Sequence, residues 1–211
     1  MRLRNIKGAK EIVQNSKYIV NNYKEYKGKW NKIFDNNNPI HLEIGMGKGK
    51  FILENALKNP NINYIGIEKY DSVLYKAIKK IDEVNINNLK IISCDALELM
   101  DIFNSEIDCI YLNFSDPWHK DRHSKRRLTS EVYLNIYDSI FKNNNHIILK
   151  TDNRNLFEFS IETLSMDRYM FKEVNLDLHN SNIRDIITTE YEDKFVSKGN
   201  IIYMFDAYKL K

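Results

Sequence analysis

The sequence predicts an α/β fold: a mostly parallel, seven-stranded sheet with helices on both faces and a C-terminal antiparallel hairpin. Two observations predict it. Short Ile-rich runs bounded by Gly, Asn or Asp alternate with longer stretches whose apolar residues recur every three and four positions, the pattern of parallel strands joined by helical crossovers. After residue 166 the alternation stops and two further strand-like runs follow, which fit a closing hairpin.

Taken in order, the predicted strands are 39–44, 63–68, 89–93, 109–114, 146–151, 170–178 and 200–208. The predicted helices are 48–59, 71–84, 96–103, 130–142 and 153–166. The second of these shows the helical period well, because Val73, Leu74, Ala77, Ile78 and Ile81 fall on one stripe. A first helix over 10–23 precedes the sheet, and residues 1–8 are expected to order only against a partner. The asparagine clusters at 36–38 and 143–145 read as turns.

Composition limits the classes available. A chain of 211 residues fits one domain, so 1–211 is taken as a single unit with a basic N-terminal arm at about 1–32. Hydrophobic residues at 43% and charged residues at 29%, with 7 Gly and 3 Pro, describe a soluble globular chain and exclude collagen-like or linker-dominated ones. No uncharged apolar run approaches the ~20 residues of a membrane span, and no signal-peptide core opens the chain; a cytoplasmic address is expected. Cys94 and Cys109 are the two cysteines, too few for a disulfide framework or a cysteine metal cluster, and both read as core thiols. His41, His146 and His179 stand isolated in or near apolar runs and read as structural, so no metal site is expected. The net charge of +3 conceals an asymmetry: residues 1–32 carry nine Lys/Arg against two acids, the remainder 23 against 27. Such an arm suits a polyanion, with a solvated basic helix as the alternative.

The run Leu42-Glu43-Ile44-Gly45-Met46-Gly47-Lys48-Gly49 sits where the first strand turns into a helix. Its glycines allow a tight turn and close approach of a ligand, but Lys50 stands where a dinucleotide fingerprint places its third glycine. Glu68 ends the second strand, about twenty residues on, where an acid can hold a ribose, and Asp95 follows the third strand. Acids at three successive strand ends suit a nucleoside bearing positive charge better than one bearing a diphosphate, which Glu43 would repel. S-adenosylmethionine is such a ligand: Glu43 would lie near its ammonium and sulfonium end, Glu68 at the ribose and Asp95 at the adenine.

The fourth strand runs into Asn113-Phe114-Ser115-Asp116-Pro117-Trp118, followed by His119, Lys120, Asp121, Arg122, His123, Ser124, Lys125, Arg126 and Arg127. Pro117 disfavours helix at Asp116, so that carboxylate is presented from a constrained loop. Trp118 offers a face for stacking a base, and the cations can neutralise phosphates.

With these residues in view, the chain resembles the bacterial tRNA (guanine-N7-)-methyltransferases, which have a Rossmann-like class I methyltransferase fold. Four signatures carry the resemblance: EIGxGxG at 43–49, NFSDPW at 113–118 with RHxKRR at 122–127, Lys150-Thr151-Asp152, and Thr189-Glu190-Tyr191-Glu192. It implies that Glu43, Gly45, Gly47, Glu68, Asp95 and Asp116 bind S-adenosyl-L-methionine, with Asp116 also catalytic. It further implies that Lys120, Asp152, Thr189, Glu190, Tyr191 and Glu192 contact the substrate guanosine. Arg122, His123, Ser124, Lys125, Arg126 and Arg127 would match the RNA-binding segment. His119 and Asp121 depart from the family pattern, where a second proline and a lysine are usual. The implied reaction is methyl transfer to N7 of a guanine in the variable loop of tRNA. The implied partner is tRNA, without membrane or metal, the chain acting as monomer or homodimer. Asp152 and Glu192 would then accept hydrogen bonds from guanine N1 and N2; alone they read as a helix N-cap and a surface acid. A nicotinamide-dependent dehydrogenase and a non-catalytic RNA-binding protein are the rival readings, opposed by the missing third glycine and by the acids retained together.

Overall fold

A computed structural model of the chain describes residues 6–210. In chain order its elements are α1 (Ala9–Gln14), α2 (Asn31–Phe34), β1 (Ile40–Ile44), α3 (Lys50–Lys58), β2 (Asn63–Glu68), α4 (Asp71–Ile81), β3 (Leu89–Ser93), α5 (Leu99–Ile102), β4 (Cys109–Asn113), α6 (Glu131–Ile140), β5 (Asn145–Thr151), α7 (Arg154–Met166), β6 (Met170–Asn175), α8 (Glu190–Val196) and β7 (Tyr203–Lys209). The seven strands form one sheet in the order β3-β2-β1-β4-β5-β7-β6. Pairings from β3 through β5 are parallel, whereas β7 runs antiparallel to both β5 and β6.

Period-two alternation divides the strands between two faces. Ile65, Ile67 and Ile92 join a large core with Trp30, Leu99, Tyr137 and Phe205, while Tyr64 and Ile91 join a second core with Ile52, Leu74, Ala77 and Ile78. On α4 the predicted stripe is buried except at half-buried Val73: Leu74, Ile78 and Ile81 are fully enclosed, worth about 1.5–3 kcal/mol each in hydrophobic burial. Cys94 and Cys109 are buried and free.

Several boundaries differ from expectation. The helix predicted over 10–23 stops at Gln14; Asn15 and Ser16 turn the chain, and Tyr18 to Val20 lie against β3. There Ile91 N–H donates to Tyr18 O at 2.8 Å and Val20 N–H to Ile91 O at 2.9 Å. β-Branched Ile19 and Val20 favour this extended pairing, which covers the free edge of the sheet. The helix predicted over 96–103 is a 3₁₀ turn, Ala96–Glu98, followed by α5. β4 ends at Asn113 because Phe114 adopts φ 52°. The predicted strand 170–178 ends at Asn175, and β7 starts at Tyr203, where its register with Thr151 at the end of β5 begins. Unpredicted elements are α2, α8 and the 3₁₀ turns Tyr23–Tyr26, Asp121–Arg126 and Leu178–Asn180. The expectation for residues 1–8 falls largely outside the described residues. The later part of the arm is tied down: Glu106 accepts N–H bonds from Gly28 and Trp30, both at 2.8 Å, and buried Trp30 Nε1 donates to Ile102 O at 2.9 Å.

Candidate active site

The turn from β1 to α3 lies at the carboxyl edge of the sheet. Gly45, Gly47 and Gly49 have φ of 77°, 58° and 77°, a region that penalises any side chain. A Cβ on Gly45 or Gly47 would meet nothing within 4 Å, whereas one on Gly49 would press on Met46, Ile81 and Ala77 at 3.1–3.3 Å. Gly49 therefore serves packing, and the first two glycines face open space. Gly47 N–H donates to Glu68 Oε2 at 3.3 Å.

Beside this turn acids crowd together. Glu43 is buried; Asn113 Nδ2 donates to its Oε1 at 2.9 Å, and its Oε2 has no hydrogen-bond partner among the described residues. Burial pushes its carboxyl up to about 7, against the pull of Asn113 and Lys150, with the charges of Glu190 and Glu68 adding to the rise. Glu68 is likewise raised by burial, opposed by the Tyr70, Gly47 and Lys69 N–H groups, and the charge of Asp116 raises it further. Glu190 and Glu68 thus act on Glu43, and Asp116 on Glu68, a grouping of carboxylates near the β1–α3 turn that favours a cation. A buried carboxylate oxygen lacking a partner is a group that a bound ligand is expected to satisfy. The donor set thus fits S-adenosylmethionine. Asp95 sits at the same edge but is already engaged: Lys69 Nζ donates to it at 2.6 Å and holds its carboxyl low, and it caps the turn that follows through Leu97 N–H at 3.0 Å. Among the described residues no group of three or more His, Cys, Asp or Glu side chains is placed to hold a metal ion.

Asp116 is exposed on the loop after β4, with no hydrogen bond or ion pair among the described residues. Non-glycine residues of positive φ bracket it, Phe114 at 52° and Trp118 at 44°, conformations that cost on the order of 1–3 kcal/mol each. Trp118 is half-buried, with the Arg126 guanidinium 4.9 Å over its ring and His123 against its edge. Its face is thus already occupied by a cation. In the basic segment Lys120, Arg122, Lys125 and Arg126 are exposed, and His123 and Ser124 are half-buried. Arg127, expected to contact RNA, does not face solvent. It is 8% exposed, its Nε and Nη2 donate to Pro117 O at 3.0 Å and Trp118 O at 3.2 Å, and its guanidinium lies over Phe159.

The segment 189–192 forms the start of α8, where a capping box joins Thr189 and Glu192: Glu192 N–H donates to Thr189 Oγ1 at 2.9 Å and Thr189 N–H to Glu192 Oε2 at 3.2 Å. Lysines from three elements hold this helix. Lys50 pairs with Asp193 at 2.5 Å, Lys80 with Glu190, and buried Lys150 with Glu192 at 2.5 Å. His179 pairs with the other Glu192 oxygen at 2.9 Å. Glu192, read from sequence as a surface acid or a direct guanine acceptor, is therefore enclosed, with both oxygens engaged, and reaches a substrate only through the helix it anchors. Asp152 does not cap α7, since Asn153 does so by accepting from Leu156 N–H. Half-buried Asp152 instead accepts from Tyr191 Oη at 3.2 Å and Asn200 Nδ2 at 3.3 Å, and exposed Tyr191 packs on Phe195 and Phe114. Sequence reasoning missed Asn113, Lys50 and the anchoring part played by Lys150. Asn113 lies two residues after Tyr111, the register partner of Glu43 on β4, so strand alternation alone places it on the same face as Glu43.

Comparison with known proteins shows the family. A family described as putative methyltransferase matches residues 37–205. The tRNA (guanine-N(7)-)-methyltransferase of Lachnoclostridium phytofermentans is 52% identical over 213 residues, covering all of both chains. Its namesake from a Geobacillus species is 50% identical, covering 96% of this chain and 93% of the relative. Among solved structures, the 16S rRNA methyltransferase KamB superposes with a TM-score of 0.66 at 10% identity, covering 87% of this chain and 94% of that one. A 16S rRNA (adenine(1408)-N(1))-methyltransferase from Catenulisporales acidiphilia gives 0.61 at 15% identity, covering 87% and 93%. At such identities these two show the fold alone, that of the Rossmann-like class I methyltransferases. With full-length relatives at half identity, the chain belongs to the tRNA (guanine-N(7)-)-methyltransferase family.

Proposed function

We propose that this chain methylates N7 of a guanine in the variable loop of tRNA, with S-adenosylmethionine as methyl donor, and that it does so in the cytoplasm as one unit, basic arm included. The observation that carries the reading is the grouping of acids: Glu43, whose Oε2 has no hydrogen-bond partner among the described residues, Glu68 bonded to Gly47 N–H, and the exposed Asp116 whose charge acts on Glu68. Glu43 would hold the ammonium end of the cofactor, Glu68 its ribose hydroxyls and Asp95 its adenine edge, with Gly45 and Gly47 giving clearance. The cofactor supplies an activated methyl group.

Guanine N7 carries a lone pair and no proton, so no general base is needed to create the nucleophile. What the protein contributes is position and charge. Holding the two reactants in line supplies up to ~7–11 kcal/mol of the barrier. Asp116 orients the guanine and counters the positive charge that grows on the purine. Asp152, steadied by Tyr191 and Asn200, accepts from the guanine N1 and N2 donors, while Lys120 and the first turn of α8 contact the nucleotide. Arg122, Lys125 and Arg126, exposed on the turn after Asp116, meet phosphates.

The test is transfer of labelled methyl from S-adenosylmethionine to unmodified tRNA, followed by borohydride and aniline cleavage at N7-methylguanosine. One cut in the variable loop is the expected result. Label without that cut moves the target atom, and no label while tRNA still binds leaves a binding protein.

A further inference from the structure

The loop that presents Asp116 has little of its own to hold it. Across residues 115–119 the backbone makes two hydrogen bonds among the described residues, Pro117 O and Trp118 O, and both go to the Arg127 side chain. On either side the chain is fixed: Phe114 N–H donates to Lys150 O at 2.8 Å, and His123 N–H to Lys120 O at 2.8 Å. Between those points lie the positive φ of Trp118 and, just before, that of Phe114. Strained residues persist only where their surroundings over-determine them.

Arg127 is built for that task. It is enclosed while Lys125 and Arg126 beside it are exposed. Its ring-like plane rests on Phe159 of α7, 4.3 Å from the centroid. Its own backbone is fixed on both sides, N–H to Ser124 O at 3.0 Å and O from Ser130 N–H at 2.9 Å, which ties it to the start of α6. A guanidinium offers a planar fork that an ammonium cannot copy, so two carbonyls one residue apart are gripped at once. We propose that Arg127 is a positioning residue: its guanidinium braces the 116–118 loop so that Asp116 is held on the side of Glu68 and the β1–α3 turn, and it does not bind RNA. The bracing stands on the geometry alone, whereas its effect on turnover rests on the role given to Asp116 above.

The experiment compares Arg127→Lys, Arg127→Ala and Arg126→Ala in the full chain. Three quantities are read: backbone 15N order parameters of Ser115, Asp116, Trp118 and His119, kcat and KM for tRNA methylation, and the salt dependence of tRNA binding. With Arg127→Lys, the order parameters across 115–119 are expected to fall and kcat to fall at least tenfold, with KM and the salt slope unchanged. Arg126→Ala is expected to flatten the salt slope by about one unit, as loss of a phosphate contact does, with the loop's order parameters unaltered. Wild-type order parameters and kcat in Arg127→Lys overturn the proposal, as does an Arg127→Ala protein whose salt slope drops by about one while kcat holds. Should Arg127→Ala fail to fold, the charge-preserving Arg127→Lys decides alone. Loss of order in the loop of Arg127→Lys without methylation by the wild type would keep the brace and sink the functional reading instead.

Discussion

Glu43 combines burial, a single hydrogen bond from Asn113 and a carboxyl raised from 4.5 to about 7. Because the folded state holds this proton more tightly than the unfolded chain does, Glu43 penalises folding increasingly as pH rises from 4.5 toward 7. A cation beside it reverses the preference and draws the proton off. Affinity for S-adenosylmethionine is therefore expected to rise with pH through about 7, with a proton released on binding below that point. Calorimetric titration in buffers of different ionisation enthalpy measures that proton directly, and Glu43→Gln is expected to abolish both the release and the pH dependence. Binding that stays pH-independent in the wild type would remove Glu43 from the cation site. Asp116 is a different kind of acid, exposed and without a hydrogen bond or ion pair among the described residues, so Asp116→Asn is expected to lower cofactor affinity far less than turnover, cutting kcat about 10²-fold, the scale of one lost transition-state contact. Single-turnover methylation with saturating cofactor tests it.

At the scale of elements, α8 is held by contacts from far along the chain, and those contacts differ in worth. Lys50–Asp193 and Lys80–Glu190 are partly exposed pairs, for which at most about 1 kcal/mol each is expected. Lys150–Glu192 is enclosed, and burial draws the lysine down against the pull of Glu192. Removing one charge of such a pair strands the other, at a cost of about 3–5 kcal/mol. Urea denaturation of Glu192→Gln is expected to show a loss of that order, with a raised KM for tRNA, and a loss below 1 kcal/mol would demote the pair. The strands were legible in the sequence because parallel strands covered on both faces read as continuous apolar runs, as Tyr64-Ile65-Gly66-Ile67 does. The helix over 10–23 was misread because extended pairing with Ile91 outcompetes it beyond Gln14. The α8 helix carried one local sign, the spacing Thr189-x-x-Glu192 of a capping box, but its anchors lie 42 to 143 residues away in sequence. The same distance hid the fate of Arg127, which no charge count separates from its exposed neighbours.

For the whole molecule, the charge asymmetry read from sequence becomes a distribution in space. Lys7, Lys10, Lys17, Lys24, Lys27, Lys29 and Lys32 of the arm are all exposed, although Lys24 is spent on Glu98 at 3.0 Å. Replacing Arg122, Lys125 and Arg126 together by Ala is expected to weaken tRNA binding and to flatten its salt dependence by about one unit per lost phosphate contact. Cofactor affinity should be untouched, and an unaltered salt slope in filter-binding titrations would show that the RNA lies elsewhere. No helix among the described residues is long and apolar enough to cross a membrane. The sheet order has its own consequence for how the chain is made. β7 lies between β5 and β6 although it follows both in sequence, so on the ribosome β6 emerges with no strand to pair with and β5 keeps an open edge until Tyr203–Lys209 has cleared the exit tunnel. Loss of those seven residues would thus orphan two strands at once, and a stalled or clipped nascent chain would present a bare β5 edge to its neighbours instead of a slightly shortened protein.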